Sequence, residues 1–203
     1  MKRKSRKRVR ARHPNLGAVF DSHVKHEFVD KDVEATMRTM VADPYVHHVP
    51  SLTGGVGYEG VRNFYGTQFV GKVPADTKTR QLSRTVGKDQ IVEELIFSFT
   101  HDAEIPFMLP GVRPTGKYVE VPLVVVMKIK NGKVAHEHIY WDQASVLAQV
   151  GLLDPQNLPV SGEDQAKRLA ELSKRLAGDS SKHSHDFTLP AMTREKKLAG
   201  RGR

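Results

Sequence analysis

The segment Asn131-Gly132-Lys133-Val134-Ala135-His136-Glu137-His138-Ile139-Tyr140-Trp141-Asp142 decides the reading of this chain. Asn-Gly between two β-rich runs is a hairpin signal, because a type I′ turn needs positive φ at both central residues. Side chains then alternate between the two faces of the strand that follows. One face receives Glu137, Ile139 and Trp141; the other receives His136, His138, Tyr140 and Asp142. A strand that serves packing alone has little use for so many ionisable groups beside the chain's only Trp. Polar side chains that converge on a half-buried sheet face are the raw material of a ligand pocket.

Working back from the hairpin, strands are expected at Thr79–Val86, Gln90–His101, Lys117–Ile129 and Lys133–Asp142, separated by turn residues. Pro122 interrupts the third of these and predicts an edge or a bulge there. Earlier in the chain the period changes. Val19, Val24, Phe28, Val33, Met37 and Met40 recur at helical spacing, which predicts helices over 17–29 and 31–41, the second capped by Asp30 and stopped by Asp43-Pro44. A short strand at Tyr45–Val49, a Gly-rich loop at 51–57 and a third helix at Tyr58–Phe69 follow. The loop lacks the Gly-Lys-Ser/Thr ending of a phosphate-binding loop. After the strands come a closing helix at Ser145–Val150 and a further helix from Ser161 through Ala177, with Ala166, Leu169 and Leu172 on a narrow apolar stripe. Helices first and antiparallel strands afterwards predict an α+β fold, with about three N-terminal helices packed on one face of a curved sheet. Such a sheet encloses a cone-shaped cavity.

At 203 residues the chain is long enough for one domain with tails: a basic arm at 1–16, a core at 17–154, and a C-terminal helix with a basic tail at 155–203. It contains no cysteine, which excludes disulfides, thiolate nucleophiles and cysteine zinc sites. No run approaches the ~18 apolar residues of a membrane span. The net charge of +9 is unevenly placed. Eight of the first twelve residues are Lys or Arg, whereas residues 13–187 carry 19 basic and 22 acidic side chains. The arm reads first as a solvated tail. Residues 1–12 also suit weak non-specific contact with nucleic acid or an anionic surface, or a nuclear or organellar address on an otherwise cytoplasmic protein.

Six short motifs in this order carry a family resemblance: His48-Val49-Pro50, Gly57-Tyr58-Glu59-Gly60, Thr100-His101, Pro114-Thr115-Gly116, Gly132-Lys133-Val134 and Val146-Leu147-Ala148-Gln149-Val150-Gly151. Over residues 17–154 the chain resembles the SnoaL-like branch of the nuclear transport factor 2 superfamily. The end of the His136–Asp142 strand is also similar to domains found in or near dienelactone-hydrolase-type proteins. The resemblance implies an apolar cone without metal or organic cofactor, and a homodimer. Its members include polyketide cyclases, ketosteroid isomerases, limonene epoxide hydrolases and dehydratases, together with modules that only bind, so the fold alone selects no activity. In the cyclases and epoxide hydrolases a catalytic Asp falls at Ile139, which turns the Glu137/Ile139/Trp141 face toward the cavity and leaves that acid missing. The Arg and Asp of the epoxide hydrolases fall at Leu95 and Phe97, which argues against that mechanism.

The remaining candidates are His48 and Glu137 as acid and base, with His101 assisting, in a pocket lined by Phe28, Tyr65, Leu95, Phe97, Phe99, Ile139 and Trp141. Aromatic residues at such spacing serve packing more often than chemistry. Among ten histidines, His23, His26 and Glu27 share a helical face and His136 and His138 share a strand face. Neither group matches a linear metal motif, so no metal is expected. The leading expectation is a cofactor-independent enzyme that moves a proton on an apolar carbonyl-containing or polycyclic molecule, by isomerisation, aldol-type cyclisation or dehydration. Its rivals are a non-catalytic ligand-binding or dimerisation module and an adaptor acting through the basic arm.

Overall fold

The structure, a computed structural model, describes residues 15–177. The basic arm at 1–12 and the tail beyond 177, with the nucleic-acid contact expected of the arm, lie outside the described residues.

Helix α1 (Leu16–Lys25) starts at Asn15, whose side chain accepts the Ala18 N–H, and widens into a π-helical turn at His26–Asp30. Lys31 takes a left-handed conformation (φ 52°), which ends the helix. The short α2 (Val33–Arg38) is capped by Asp32, not by the expected Asp30: the Asp32 carboxylate accepts the Ala35 N–H. The expected second helix is therefore too long at both ends. Strand β1 (Met40–His48) already begins where that helix was expected to continue, and it runs through Asp43-Pro44. Met40 and Val41 suit a helix or a strand equally by periodicity, and pairing with β6 decides for the strand.

The expected loop at 51–57 contains strand β2 (Thr53–Val56), an antiparallel partner of β1. Two glycines make this return possible. A Cβ on Gly54 would stand 2.0 Å from the Val46 carbonyl oxygen, and one on Gly55 2.3 Å from that of Gly60. Helix α3 (Gly57–Phe64) continues into a second π turn at Tyr65–Phe69, as one expected helix. The strands β3 (Lys78–Val86), β4 (Gln90–Thr100), β5 (Tyr118–Lys130) and β6 (Lys133–Trp141) fall where the alternation places them. Asn131 and Gly132 both have positive φ at the β5–β6 turn, as the hairpin requires.

The six strands form one curved sheet in the order β2-β1-β6-β5-β4-β3, parallel only between β1 and β6. The fold is thus α+β, as expected. Strand β5 is interior, yet Pro122 sits just beyond Leu123, its last residue paired to β6, so the strand is locally an edge there. Two residues earlier the Glu120 N–H donates to Gln149 on α4 (Gln143–Gln149), not to a strand. Residues two apart point their backbone groups the same way, so the N–H that Pro122 lacks falls on this open side. Helix α5 (Asp164–Ala177) packs against β5.

Helices α1 and α3 cover the sheet face that holds Val46, Leu95, Phe97, Met127 and Ile139. No helix among the described residues is long and apolar enough to cross a membrane.

Candidate active site between helices and sheet

The buried face of α1 and the π turn that continues it repeats at Leu16, Phe20, His23 and Glu27, with relative exposures of 8, 3, 0 and 4%. Helical spacing thus puts an imidazole and a carboxyl where an all-apolar stripe would complete the core. They meet Glu137 on β6, itself 6% exposed. His23 Nε2 lies 2.7 Å from Glu137 Oε1 and 3.2 Å from Glu27 Oε1. The Tyr65 hydroxyl approaches the same nitrogen at 3.1 Å.

The other side of the ring fixes its protonation. The Thr39 hydroxyl donates to the Thr36 carbonyl at 2.6 Å, so its oxygen accepts from His23 Nδ1–H at 2.5 Å. Nδ1 therefore carries a proton and Nε2 is aimed at the two carboxyl groups and the phenol. Burial alone would push the His23 pKa down, but the charges of Glu27 and then Glu137 outweigh it and raise it to about 10. Burial also raises Glu27, against the pull of His23 and with the repulsion of Glu137. Tyr65 is held well above the ordinary phenol value, by burial and then by Glu137 and Glu27. The cluster therefore stores protons at neutral pH.

Glu27 and Glu137 border a cavity of about 670 Å³ between α1 and the sheet, with His23 set behind them. Phe28, Leu95, Phe97 and Ile139 line it, joined by Phe20, Val24, Phe69, Phe107 and Met127. His48 lines it too, 2% exposed, among the rings of Phe64, Phe69, Phe107 and Trp141 at 5.2–5.7 Å. Burial, with a smaller push from His47, lowers the His48 pKa to about 3 against a hydrogen bond to the Thr53 backbone. The ring is neutral at physiological pH, and its Nδ1 has no protein partner. Register places Val46 opposite Glu137 and His48 opposite Ile139, so His48 and Glu137 stand on one face. They are two residues apart along the strands, roughly 7 Å.

Other expected residues lie elsewhere. His101 is fully buried at the end of β4, outside the cavity lining, and its Nδ1 bonds Thr115 Oγ1 at 3.1 Å. Its backbone holds Thr115, Gly116 and Lys117 by three further hydrogen bonds, so it fastens the 101–117 loop. Phe99 and Tyr65 are fully buried behind the lining. Trp141 donates its indole N–H to Gln143 at 2.5 Å and backs His48. Of the expected pairing, Glu137 meets His23, not His48. His26 leaves the His23/Glu27 face for Asp30, at 2.8 Å.

A polar rim completes the cavity, and nothing in the strand alternation singled it out. Gln81, Ser83 and Arg84 on β3 line it, beside a register shift between Gln81 and Ser83. Arg84 pairs with Glu93 and, at 2.8 Å, with Asp21, and stacks 4.6 Å over Phe20.

Comparison with known proteins agrees with this architecture. A protein with a ketosteroid isomerase-like fold from Catenulispora acidiphila DSM 44928, in complex with trimethylamine, superposes with a TM-score of 0.51 at 13% identity, covering 66% of this chain and 93% of its own. A candidate SnoaL-like polyketide cyclase from Jannaschia sp. CCS1 gives 0.54 at 18%, covering 73% and 100%. IdmH from Streptomyces antibioticus, a candidate polyketide cyclase, gives 0.52 at 17%, covering 68% and 99%. At these identities the likeness is one of fold. No curated protein sequence matches the chain. The model of the SnoaL-like polyketide cyclase family matches residues 23–150, from the buried His23 to the end of α4, and the chain belongs to that family.

Proposed function

We propose that the protein is a small-molecule enzyme that moves a proton at a carbon next to a carbonyl, within an isomerisation, an aldol-type cyclisation or a dehydration. One observation carries this reading: two titratable poles, pushed apart in pKa, border a single apolar cavity. Such separation is how acid and base roles are assigned within one site. His48, lowered to about 3, offers a free neutral Nδ1 and acts as the base. The raised Glu27, with Glu137 and the His23 imidazolium behind them, is the acid. A carbonyl oxygen placed at the carboxyl pole takes a hydrogen bond or a proton as negative charge develops on it. The C–H proton passes to His48 Nδ1, and its return to another carbon or to a leaving hydroxyl completes the reaction. The apolar walls suit a flat, polycyclic substrate of modest polarity.

Solvent-deuterium exchange at the α-carbons of 2-tetralone, followed by NMR, tests this. The protein should accelerate exchange above buffer, and His48→Gln and Glu137→Gln should each cut it by about 10². Exchange no faster than buffer, or unmoved by both substitutions, overturns the proton-transfer reading. Saturable binding of 2-tetralone without exchange would identify a ligand-binding module, the reading that the apolar Ile139 favours.

A further inference from the structure

The geometry points to a divalent transition-metal site formed by His23 Nε2, Glu27 Oε1 and Glu137 Oε1 at the acid pole of the cavity. It deepens the reading above and rests on it for its use: a bound cation would be the electrophile that polarises the substrate oxygen, in place of protons.

Three features support it. The three donor atoms all lie within 4.8 Å of one another, with His23 Nε2 at 2.7 and 3.2 Å from the two oxygens. Donors that share one zinc-like ion at 2.0–2.2 Å stand about 3 Å apart, so His23 Nε2 is spaced from each oxygen as from a fellow ligand. Secondly, the two oxygens are buried, yet neither makes an aligned hydrogen bond. The Tyr65 hydroxyl stands 3.1 Å from the same nitrogen, beside the two oxygens. Thirdly, Nδ1–H is already spent on Thr39, which is itself fixed by Thr36. That bond keeps a proton on Nδ1, so an ion that displaces the Nε2 proton meets the lone pair there, the arrangement that orients most ligating histidines.

Charge closes the argument. Two carboxylates and a neutral imidazole are balanced by one divalent ion, so the buried site is neutral when filled. The mixed N/O set, without thiolate, suits zinc, manganese, cobalt or iron(II), and its single small cage with an imidazole does not suit calcium or magnesium. The two carboxylates border the cavity, which leaves a side of the ion open to a substrate oxygen.

The test uses the full chain, freed of metal by chelator and then titrated with Co2+ and Zn2+. Calorimetry should give one tight site per chain, and Co2+ should develop visible bands of a low-coordinate N/O site. Glu27→Gln should weaken binding by about 100-fold or more. Thr39→Val, which keeps all three donors, should weaken it by about 10- to 100-fold. His136→Gln, on the opposite sheet face, should leave it unchanged, and Mg2+ should give no response. Absence of Co2+ bands and of Zn2+ heat in the wild type overturns the proposal. Binding insensitive to both Glu27→Gln and Thr39→Val does the same, wherever that ion sits. Ion binding is read without turnover, so its failure and that of the proton-transfer reading are separable.

Discussion

Strand β6 carries histidines and a carboxylate within three residues, and its two faces treat them in opposite ways. On the concave face Glu137 meets His23 and Glu27 in near-complete burial. On the convex face His136 and His138 stack on each other and His136 on Tyr45, with ring centroids 4.7 Å apart in both pairs. The Tyr45 hydroxyl reaches His138 Nε2 at 3.0 Å. The neighbours His47 and His48 on β1 divide in the same way: His48 enters the cavity, while His47 pairs in register with His138. Desolvation, more than residue type, separates the cavity imidazole of His48 from the stacked imidazoles of the convex face.

The largest expected effect breaks or confirms this contrast directly. His23→Leu leaves two carboxyl groups buried without their cation, and stability should fall by about 3–5 kcal/mol in urea unfolding. His136→Leu, on the half-exposed stack, should change it by about 1 kcal/mol or less. Equal losses would show that the two faces are energetically alike.

A second effect is set by pH. His48 titrates at about 3 in the folded chain against 6.5 unfolded, so the unfolded state binds more protons as pH falls. The stability that depends on a neutral His48 is complete above 6.5 and is lost as pH falls toward 3. Between pH 6.5 and 5 the loss should be about 2 kcal/mol. His48→Phe, which keeps a ring among the aromatic neighbours, should flatten that limb of the urea-measured profile. An unchanged limb would show that water reaches the ring.

His23 gives the opposite slope. Its folded pKa of about 10 exceeds the 6.5 of the unfolded chain, so its contribution is complete below 6.5 and fades as pH rises through 10. Stability should decline across that interval in the wild type, and the decline should diminish in His23→Leu. A flat wild-type profile to pH 10 would mean that a bound cation, not a proton, balances the carboxylates.

The fold was legible because two periods and one turn specify it. Asn131-Gly132 fixes the β5–β6 hairpin, and alternation then fixes which face of β6 turns inward. The early chain was harder. Met40 and Val41 extend a helical pattern as well as a strand, and only the pairing of Met40 with Val134 decides between them. The site was half legible. Parity placed Glu137, and the family motif placed His48. The partner of Glu137 came from elsewhere: His23 and Glu27 interrupt the stripe Leu16-Phe20-His23-Glu27, and polar residues inside an apolar stripe are the signal that finds them. Strand order then brings α1 to β6, which no local pattern encodes. His101 shares parity with Phe97 and Phe99, but β4 has ended before it, so parity no longer describes where its ring goes.

The smallest expected effect concerns association through the convex face. Tyr45, His136 and His138 are half-buried there, and Tyr140 is 43% exposed beside them. An aromatic patch of this kind is costly to leave against water, and a second copy of the chain would cover it by two-fold symmetry. Light scattering at micromolar concentration should then report a dimer, and Tyr140→Glu should shift it toward monomer by placing like charges across the axis. Burial lowers the His136 pKa, with help from His138 and Lys128 and against Glu137. A second copy would desolvate the ring further, so acidification through the histidine range should weaken the dimer by favouring the charged, separated form. The effect is modest, because the stacked rings keep part of their contact within one chain. A monomer at every pH would leave the convex face as packing alone, and a dimer indifferent to both Tyr140→Glu and acid would place the interface on another surface.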